Sequence, residues 1–270
     1  MPNSHHDELM FLVSYLLEER NDATQKTELE KMDAAAPIDG KRLWNLFRGL
    51  VNTRQPAPAS EEFLAAQDAL LKSLIAEAGI TTLDGTRPTA KNARIRLWHG
   101  DITTLATDGI VNAANSQMLG CWVPGHYCID NAIHTYAGVQ LRLACSEIMQ
   151  TQGHEEPTGT AKVTSAFNLP SKYIVHTVGP IANGRPTPQH EKLLASCYES
   201  CLDAAVAHEM RSLAFCCIST GVFGFPQKTA AKIAVNTVQQ WLAAHPETNI
   251  TVVFNTFLEE DERIYKQLLN

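Results

Sequence analysis

The residues between positions 121 and 128 carry the sharpest chemical signal in the sequence. They read Cys-Trp-Val-Pro-Gly-His-Tyr-Cys, in a loop that proline and glycine allow to fold around an ion. Cys121, His126 and Cys128 would supply three of the four ligands of a tetrahedral zinc site and leave one position open. An open position is typical of zinc that takes part in a reaction. The other interpretation is two buried cysteines beside an exposed histidine.

A carboxylate follows this loop directly. Asp130 stands two positions after Cys128, at the start of a predicted helix, and His134 lies one turn further along the same face. Asp130 could simply cap that helix. Its place beside the proposed metal loop also makes it the best candidate for an acid or a base. We therefore predict Asp130 as a catalytic residue and consider His134 as a group that orients it.

Two further segments stand at the ends of predicted strands. Asn112 and Asn115 are separated by two small residues, and each amide offers a donor and an acceptor to a sugar. Asparagines also commonly end strands at turns, and the spacing alone favours that interpretation. Asp101, in Gly-Asp-Ile-Thr, could accept a hydrogen bond from an amino group or a hydroxyl, or could cap its own loop.

Residues 219–226, Ser-Thr-Gly-Val-Phe-Gly-Phe-Pro, join a predicted strand to a predicted helix. Gly221 and Gly224 permit backbone shapes in which amides approach an anion closely, and the positive end of the following helix adds to the attraction. A tight strand–helix connection is an equally good explanation. The segment lacks the Gly-Lys-Ser/Thr of a P-loop.

From about residue 94 onward, short β-branched runs alternate with helical patterns. Strands are predicted near 93–100, 109–115, 160–167, 172–179, 212–220 and 249–257, and helices near 130–150, 189–208, 227–244 and 259–269. This alternation predicts an α/β sandwich with helices on both faces of a mostly parallel or mixed sheet. Ligands of such sheets bind beyond the carboxyl ends of the strands, where the polar segments described above would meet.

Residues 1–90 have a different sequence pattern. Three amphipathic helical patterns lie near 9–17, 43–51 and 63–78, and no cluster of catalytic or metal-ligating residue types stands among them. We predict an N-terminal helical extension over 1–90 and a main domain over 91–270. The extension is expected to pack on the main domain, and a separate helical module is the alternative.

Composition narrows the class of protein. The chain has 270 residues and a net charge of −7, without a basic stripe, which argues against bulk nucleic-acid binding. No apolar run approaches the roughly 20 residues of a membrane span. The acidic N-terminal segment is unlike a signal peptide, so a cytoplasmic location is expected. Seven cysteines without an export signal indicate thiols or metal ligands in place of disulfides, and those outside the 121–128 loop are expected to be structural.

Taken together, these segments resemble a macrodomain. The matching stretches run in order at 100–103, 108–116, 129–134, 157–180 and 218–226, so the resemblance covers roughly 94–270. It implies a three-layer α/β/α fold around a central mixed sheet and ADP-ribose as the ligand.

The resemblance also implies a role for each segment. Asp101 would hold the adenine amino group with the Ile102 backbone beside it, and Phe257 would face the adenine. Asn115 would contact the distal ribose, with Asn112 supporting its loop. The diphosphate would be wrapped by Ser219, Thr220, Gly221, Val222, Phe223, Gly224 and Phe225.

One departure points to a branch of this family. Hydrolase-type macrodomains usually carry a glycine run where this sequence has 121–128, and the longer cysteine–histidine loop is similar to the zinc-containing branch of bacterial pathogens. That similarity implies one Zn²⁺ per chain on Cys121, His126 and Cys128, with catalysis by Asn115 and Asp130. The implied substrate is a mono-ADP-ribosylated protein, such as a lipoyl-carrier-type protein, modified on an acidic side chain by a sirtuin-type transferase.

Two other functions fit the same residues. One is a non-catalytic ADP-ribose reader in which zinc only braces the loop, and the other is an esterase that deacetylates O-acetyl-ADP-ribose. The open coordination position favours an enzyme over a reader, because structural zinc normally has four protein ligands.

Overall fold

The computed structural model describes residues 5–90 and 92–269. Its helices are α1 (His6–Glu19), α2 (Ala23–Ala35), α3 (Gly40–Asn52), α4 (Glu61–Ala78), α5 (Ile129–Ala137), α6 (Val139–Gln152), α7 (Pro188–Ala207), α8 (Gln227–Ala244) and α9 (Glu259–Leu269). Its strands are β1 (Thr81–Thr82), β2 (Arg87–Pro88), β3 (Ile95–His99), β4 (Leu105–Ala106), β5 (Gly109–Ala114), β6 (Ala161–Ser165), β7 (Tyr173–Val178), β8 (Ser212–Phe215) and β9 (Thr251–Thr256). Within these ranges, no helix combines the length and apolarity needed to cross a membrane.

The central sheet is mixed. Over the described residues it has seven strands in the order β2-β3-β9-β8-β5-β7-β6, and β1 pairs with β4 as a separate parallel ribbon. The two edge strands, β2 and β6, run antiparallel to their neighbours, whereas the five inner strands are parallel to one another. Helices flank this sheet, so the predicted three-layer α/β fold is confirmed.

Because the inner strands are parallel, their carboxyl ends lie on the same side of the sheet, and the polar segments that follow these strands meet there. His99 pairs with Thr256 at the ends of β3 and β9, and Ala114 pairs with Val178 at the ends of β5 and β7. The Gly100 N–H then donates to the Thr256 carbonyl oxygen at 3.0 Å, which holds two of the following loops together. The segments predicted to line a ligand crevice therefore follow strands that end on the same side of the sheet.

The helical extension has its own apolar core. Helices α1, α3 and α4 supply most of it, and Val139 and Tyr136 of the main domain pack against it. The sequence predicts three helices in this region, whereas residues 5–90 form four α-helices. The additional helix, α2, buries only Leu29, so its apolar periodicity is too weak to be recognised. This helix has a side-chain cap, because the Asp22 carboxylate accepts from the Gln25 N–H at 3.0 Å.

One predicted helix is divided in two. The stretch predicted at 130–150 forms α5 and α6, which meet at Gly138 with φ of +99°. A Cβ at this position would lie 2.5 Å from Gln140 Oε1 and 2.7 Å from Gln67 Nε2. Glycine is thus required both by the backbone conformation and by the approach of α4, which carries Gln67. The Gln67 Oε1 accepts from the Val139 N–H at 3.0 Å, so the extension caps the start of α6.

Candidate ligand crevice and metal loop

The metal loop, residues 121–128, ends the connection between β5 and α5 and brings its three predicted metal ligands together. The ligand atoms of Cys121, His126 and Cys128 all lie within 4.8 Å of one another, and Cys121 Sγ is 3.6 Å from His126 Nδ1. All three residues are half-buried. Zinc bonds are about 2.3 Å to sulfur and about 2.1 Å to nitrogen, so small adjustments would let one ion reach all three. The donor set fits zinc.

Asp130 lies beside these ligands in the first turn of α5. Its residue surface is only 5% exposed, and burial raises the pKa of its carboxyl group to about 6. A hydrogen bond from Asn112 and the positive charge of Arg142 oppose this rise of the pKa. Asp130 is therefore a stronger base than an exposed aspartate.

A buried hydrogen-bonded chain holds Asp130. The Asn112 Nδ2 donates to Asp130 Oδ1 at 2.8 Å and lies 3.1 Å from His176 Nδ1. The His176 Nε2 is 2.9 Å from Thr164 Oγ1. Burial lowers the pKa of His176 to about 3, so the ring is neutral, with Nδ1 accepting from Asn112 and Nε2 donating to Thr164. His176 is thus a hydrogen-bonded histidine of the core.

Asn112, and not His134, makes the orienting contact. His134 Nε2 is 3.6 Å from Asp130 Oδ1, which is too long for a hydrogen bond. Burial lowers the pKa of His134 well below its ordinary value, so the contact joins a neutral ring to the carboxylate and is not an ion pair. The Asn112 side chain is fully buried and in this conformation has no surface with which to touch a ligand.

Asn115 begins the turn that leads into the metal loop. Its Nδ2 donates to the Gly120 carbonyl oxygen at 2.9 Å, and its Oδ1 accepts from the Gln117 N–H at 3.0 Å. Each of the two polar atoms keeps capacity for one further hydrogen bond. The half-buried Asn115 can thus brace the loop and still meet a sugar hydroxyl.

The segment 219–225, which we call the phosphate loop, is folded on itself. The Phe225 N–H donates to the Ser219 carbonyl oxygen at 2.9 Å, and the Gly224 N–H donates to that of Gly221 at the same distance. Among the described residues, no hydrogen-bond acceptor serves the amides of Gly221, Val222 and Phe223. Three consecutive free amides followed by the start of α8 form an anion-binding arrangement.

Other members of the phosphate loop contribute backbone and packing. Ser219 is buried in the left-handed conformation with φ of +65°, and its hydroxyl has no partner among the described residues. The Thr220 Oγ1 donates to the Cys217 carbonyl oxygen at 2.9 Å. The Phe225 side chain lies in the hydrophobic core. Any ligand contact of these three residues in this conformation would come chiefly from the main chain.

Asp101 and Phe257 follow β3 and β9, at the other end of the predicted crevice. Asp101 is exposed, and its Oδ1 accepts from the Thr103 N–H at 2.9 Å and from the Thr103 hydroxyl at 2.7 Å. The second carboxylate oxygen of Asp101 and the Ile102 N–H have no hydrogen-bond partner among the described residues. Phe257 is 70% exposed on the neighbouring loop. This arrangement suits an aromatic amine laid against a ring.

A glycine substitution tests the phosphate loop. Gly224 has φ of +64°, and an added Cβ would lie 3.2 Å from the Gly184 nitrogen and 3.3 Å from the Asn183 Cα. Gly224→Ala should therefore displace the loop and lower the affinity for ADP-ribose, the ligand that the macrodomain resemblance implies, by about tenfold or more, since backbone amides would leave their positions. Calorimetric titration with ADP-ribose measures the effect.

Gly153→Ala is the matched control for this substitution. Gly153 has φ of +76° with nothing within 4 Å of an added Cβ, at the end of α6. It therefore carries the same backbone strain without displacing the phosphate loop. Wild-type affinity in Gly224→Ala, or equal losses in both variants, would place the phosphate site elsewhere.

Comparison with known proteins identifies the family. The Macro domain model matches residues 111–234. A protein-ADP-ribose hydrolase from Treponema medium is 51% identical over 97% of both chains, and one from Staphylococcus aureus (strain MSSA476) is 48% identical over 99% of this chain and 97% of that protein. The chain belongs to the macrodomain family. Within that family, it is a homologue of protein-ADP-ribose hydrolases.

Solved macrodomains have the same fold. A Trypanosoma brucei macrodomain in complex with ADP-ribose superposes with a TM-score of 0.64 at 28% identity, over 83% of this chain and 95% of that one. An Oceanobacillus iheyensis macrodomain with ADP gives a TM-score of 0.59 at 40% identity, over 67% of this chain and 92% of that one. The predicted family membership is therefore confirmed, while the zinc-containing branch stays a prediction.

Proposed function

We propose that this protein is a zinc-dependent hydrolase that removes mono-ADP-ribose from an acidic side chain of a modified protein. The observation that carries the proposal is that Cys121, His126 and Cys128 come together in the loop that leads, two positions later, to the buried Asp130. The solved macrodomain with ADP-ribose and the relatives named protein-ADP-ribose hydrolase support ADP-ribose as ligand and hydrolysis as reaction.

The crevice would bind the substrate along its length. Asp101 would accept from the adenine amino group, with the ring beside Phe257. The free amides of the phosphate loop would hold the diphosphate. These contacts would place the distal ribose near Asn115, next to the metal loop, with its anomeric carbon toward Asp130. Binding energy from the distant adenine would then serve to position the reacting carbon.

Asp130 would act as general base. Asn112 holds its carboxylate at 2.8 Å, and its raised pKa suits it to accept a proton from an attacking water. Asn115 would fix the ribose while the glycosidic bond breaks through an oxocarbenium-like transition state, as in glycoside hydrolysis. When bound, zinc would supply a Lewis acid for a sugar or ester oxygen, or lower the pKa of a water.

By family resemblance, we further propose that the substrate carries the product of a sirtuin-type transferase, with a lipoyl-carrier-type protein as one example, in the cytoplasm. One Zn²⁺ per chain is the proposed cofactor.

The decisive experiment uses a protein mono-ADP-ribosylated on aspartate or glutamate, incubated in ¹⁸O-labelled water with and without a chelator. The proposal expects release of ADP-ribose, loss of that release with the chelator, and ¹⁸O in the sugar. Label in the protein carboxylate would show cleavage of the acyl ester. Binding without release would identify a reader, and turnover of O-acetyl-ADP-ribose alone would identify the deacetylase.

A further inference from the structure

We infer that helix α3 of the N-terminal extension is part of the active-site machinery, because it holds the metal loop in the shape that joins its three ligands. Asn52 and Arg48 of α3 are the positioning residues. The sequence offers no signal for this role, since both residues stand in a helix whose pattern predicts packing alone.

Asn52 fixes the middle of the metal loop. It is the last residue of α3 and only 1% exposed. Its Oδ1 accepts from the Gly125 N–H at 3.1 Å, and its Nδ2 donates to the Thr135 hydroxyl of α5 at 3.0 Å. One side chain thus ties the backbone next to His126 to the helix that carries Asp130.

Two arginines contact the aromatic residues of the metal loop that lie before and after Gly125. The Arg48 guanidinium lies 4.4 Å from the centre of the Tyr127 ring, and its Nη2 donates to the His126 carbonyl oxygen at 3.4 Å. Arg142 of α6 lies 4.3 Å from the centre of the Trp122 ring. Both arginines are buried, but the Tyr127 ring is exposed whereas the Trp122 ring is half-buried, so the contact of Arg142 with Trp122 is the better shielded from water.

Arg142 also binds the end of α3. Its Nη2 donates to the Asn52 carbonyl oxygen at 2.8 Å, and its Nη1 donates to that of Arg54 at 2.6 Å. These bonds satisfy main-chain acceptors at and just past the helix end, where no further turn could do so. The loop is therefore held at Trp122, Gly125 and Tyr127, and these positions adjoin all three metal ligands.

The loop needs such support. It contains proline and glycine, and Tyr127 is 83% exposed while Val123 is 57% exposed, so the loop buries little surface of its own. A loop released from α3 would pay conformational entropy to gather its ligands. Outer partners of this kind typically change metal affinity or activity by about 10–100-fold. The consequence for turnover rests on the proposed zinc-dependent function, whereas the consequence for loop motion does not.

The test compares Asn52→Ala with Asn45→Ala in the full chain. Asn45 is exposed on the same helix, so its replacement controls for the loss of an asparagine from α3. Hydrogen–deuterium exchange of a peptide covering 119–128, in metal-free protein, should be about tenfold faster in Asn52→Ala and unchanged in Asn45→Ala. Zinc release to a chromophoric chelator should be faster by about 10–100-fold in Asn52→Ala alone.

Equal exchange in Asn52→Ala and wild type would overturn the inference. Tyr127→Ala removes the exposed ring on Arg48 without opening the core, and it should speed loop exchange even if Asn52→Ala does not fold. Unchanged exchange in Tyr127→Ala would in that case overturn the inference. A wild-type protein that takes up no zinc would refute the zinc proposal alone, because the exchange measurement is made without metal.

Discussion

Cys128→Ser is expected to abolish release of ADP-ribose from a modified protein while ADP-ribose affinity falls by less than about tenfold. The substitution removes one of the three proposed zinc ligands, next to the proposed position of the distal ribose and away from the proposed adenine and diphosphate contacts. An interaction made mainly in the transition state gives this pattern of lost turnover and retained binding. Release of ADP-ribose, calorimetric affinity and zinc content measured on one preparation test it.

The serine variant distinguishes the loss of the metal ligand from the loss of the helix N-cap. Cys128 is the N-cap of α5, and its Sγ accepts from the Asn131 N–H at 3.5 Å, so alanine would remove the cap together with the ligand. Serine is a good N-cap and does not replace a zinc thiolate. Cys128→Ser and Cys128→Ala should therefore lose turnover equally, with greater loss of stability in Cys128→Ala. A folded, zinc-free Cys128→Ser protein with wild-type turnover would show that the metal only braces the loop.

The sequence was enough to predict that the segments after the strands lie close together, because the sheet topology determines where each strand ends. Once five inner strands are parallel, the segments after β3, β5, β8 and β9 must share one edge, whatever their side chains do. The sequence therefore predicts Asp101, Asn115 and the phosphate loop along one crevice. The metal loop is equally predictable from the sequence, because its three proposed ligands fall within one stretch of eight residues.

Contacts between distant parts of the chain were not predictable in this way. The family resemblance implies that Asn112 supports the loop of Asn115, whereas in the structure its side chain contacts Asp130 and His176 within the core. Asn52 lies 73 positions before Gly125, and no local pattern links a helix end to that glycine. The division of α5 from α6 at Gly138 likewise depends on Gln67 of a different helix. In each case the partner was set by packing, not by spacing along the chain.

Asp130→Asn is expected to lower turnover by about a hundredfold or more with zinc content retained, since general bases typically contribute about 10²–10⁴-fold. Asparagine keeps the size of the side chain and an oxygen that can accept from Asn112, but it cannot take a proton from water. Only 5% of the Asp130 surface is exposed, so ADP-ribose affinity should stay within a few-fold of wild type.

Asp101→Asn is the matched carboxylate control, and the two variants should show opposite patterns. Asp101 is exposed at the proposed adenine end, so its replacement should raise KM and weaken ADP-ribose binding by about tenfold while kcat changes little. Initial rates over a range of modified substrate, together with calorimetry and metal analysis, separate the two effects. If Asp130→Asn turned over at the wild-type rate, the proton would have to leave through another group. The buried chain from Asn112 to Thr164 would then serve to hold α5 on the sheet.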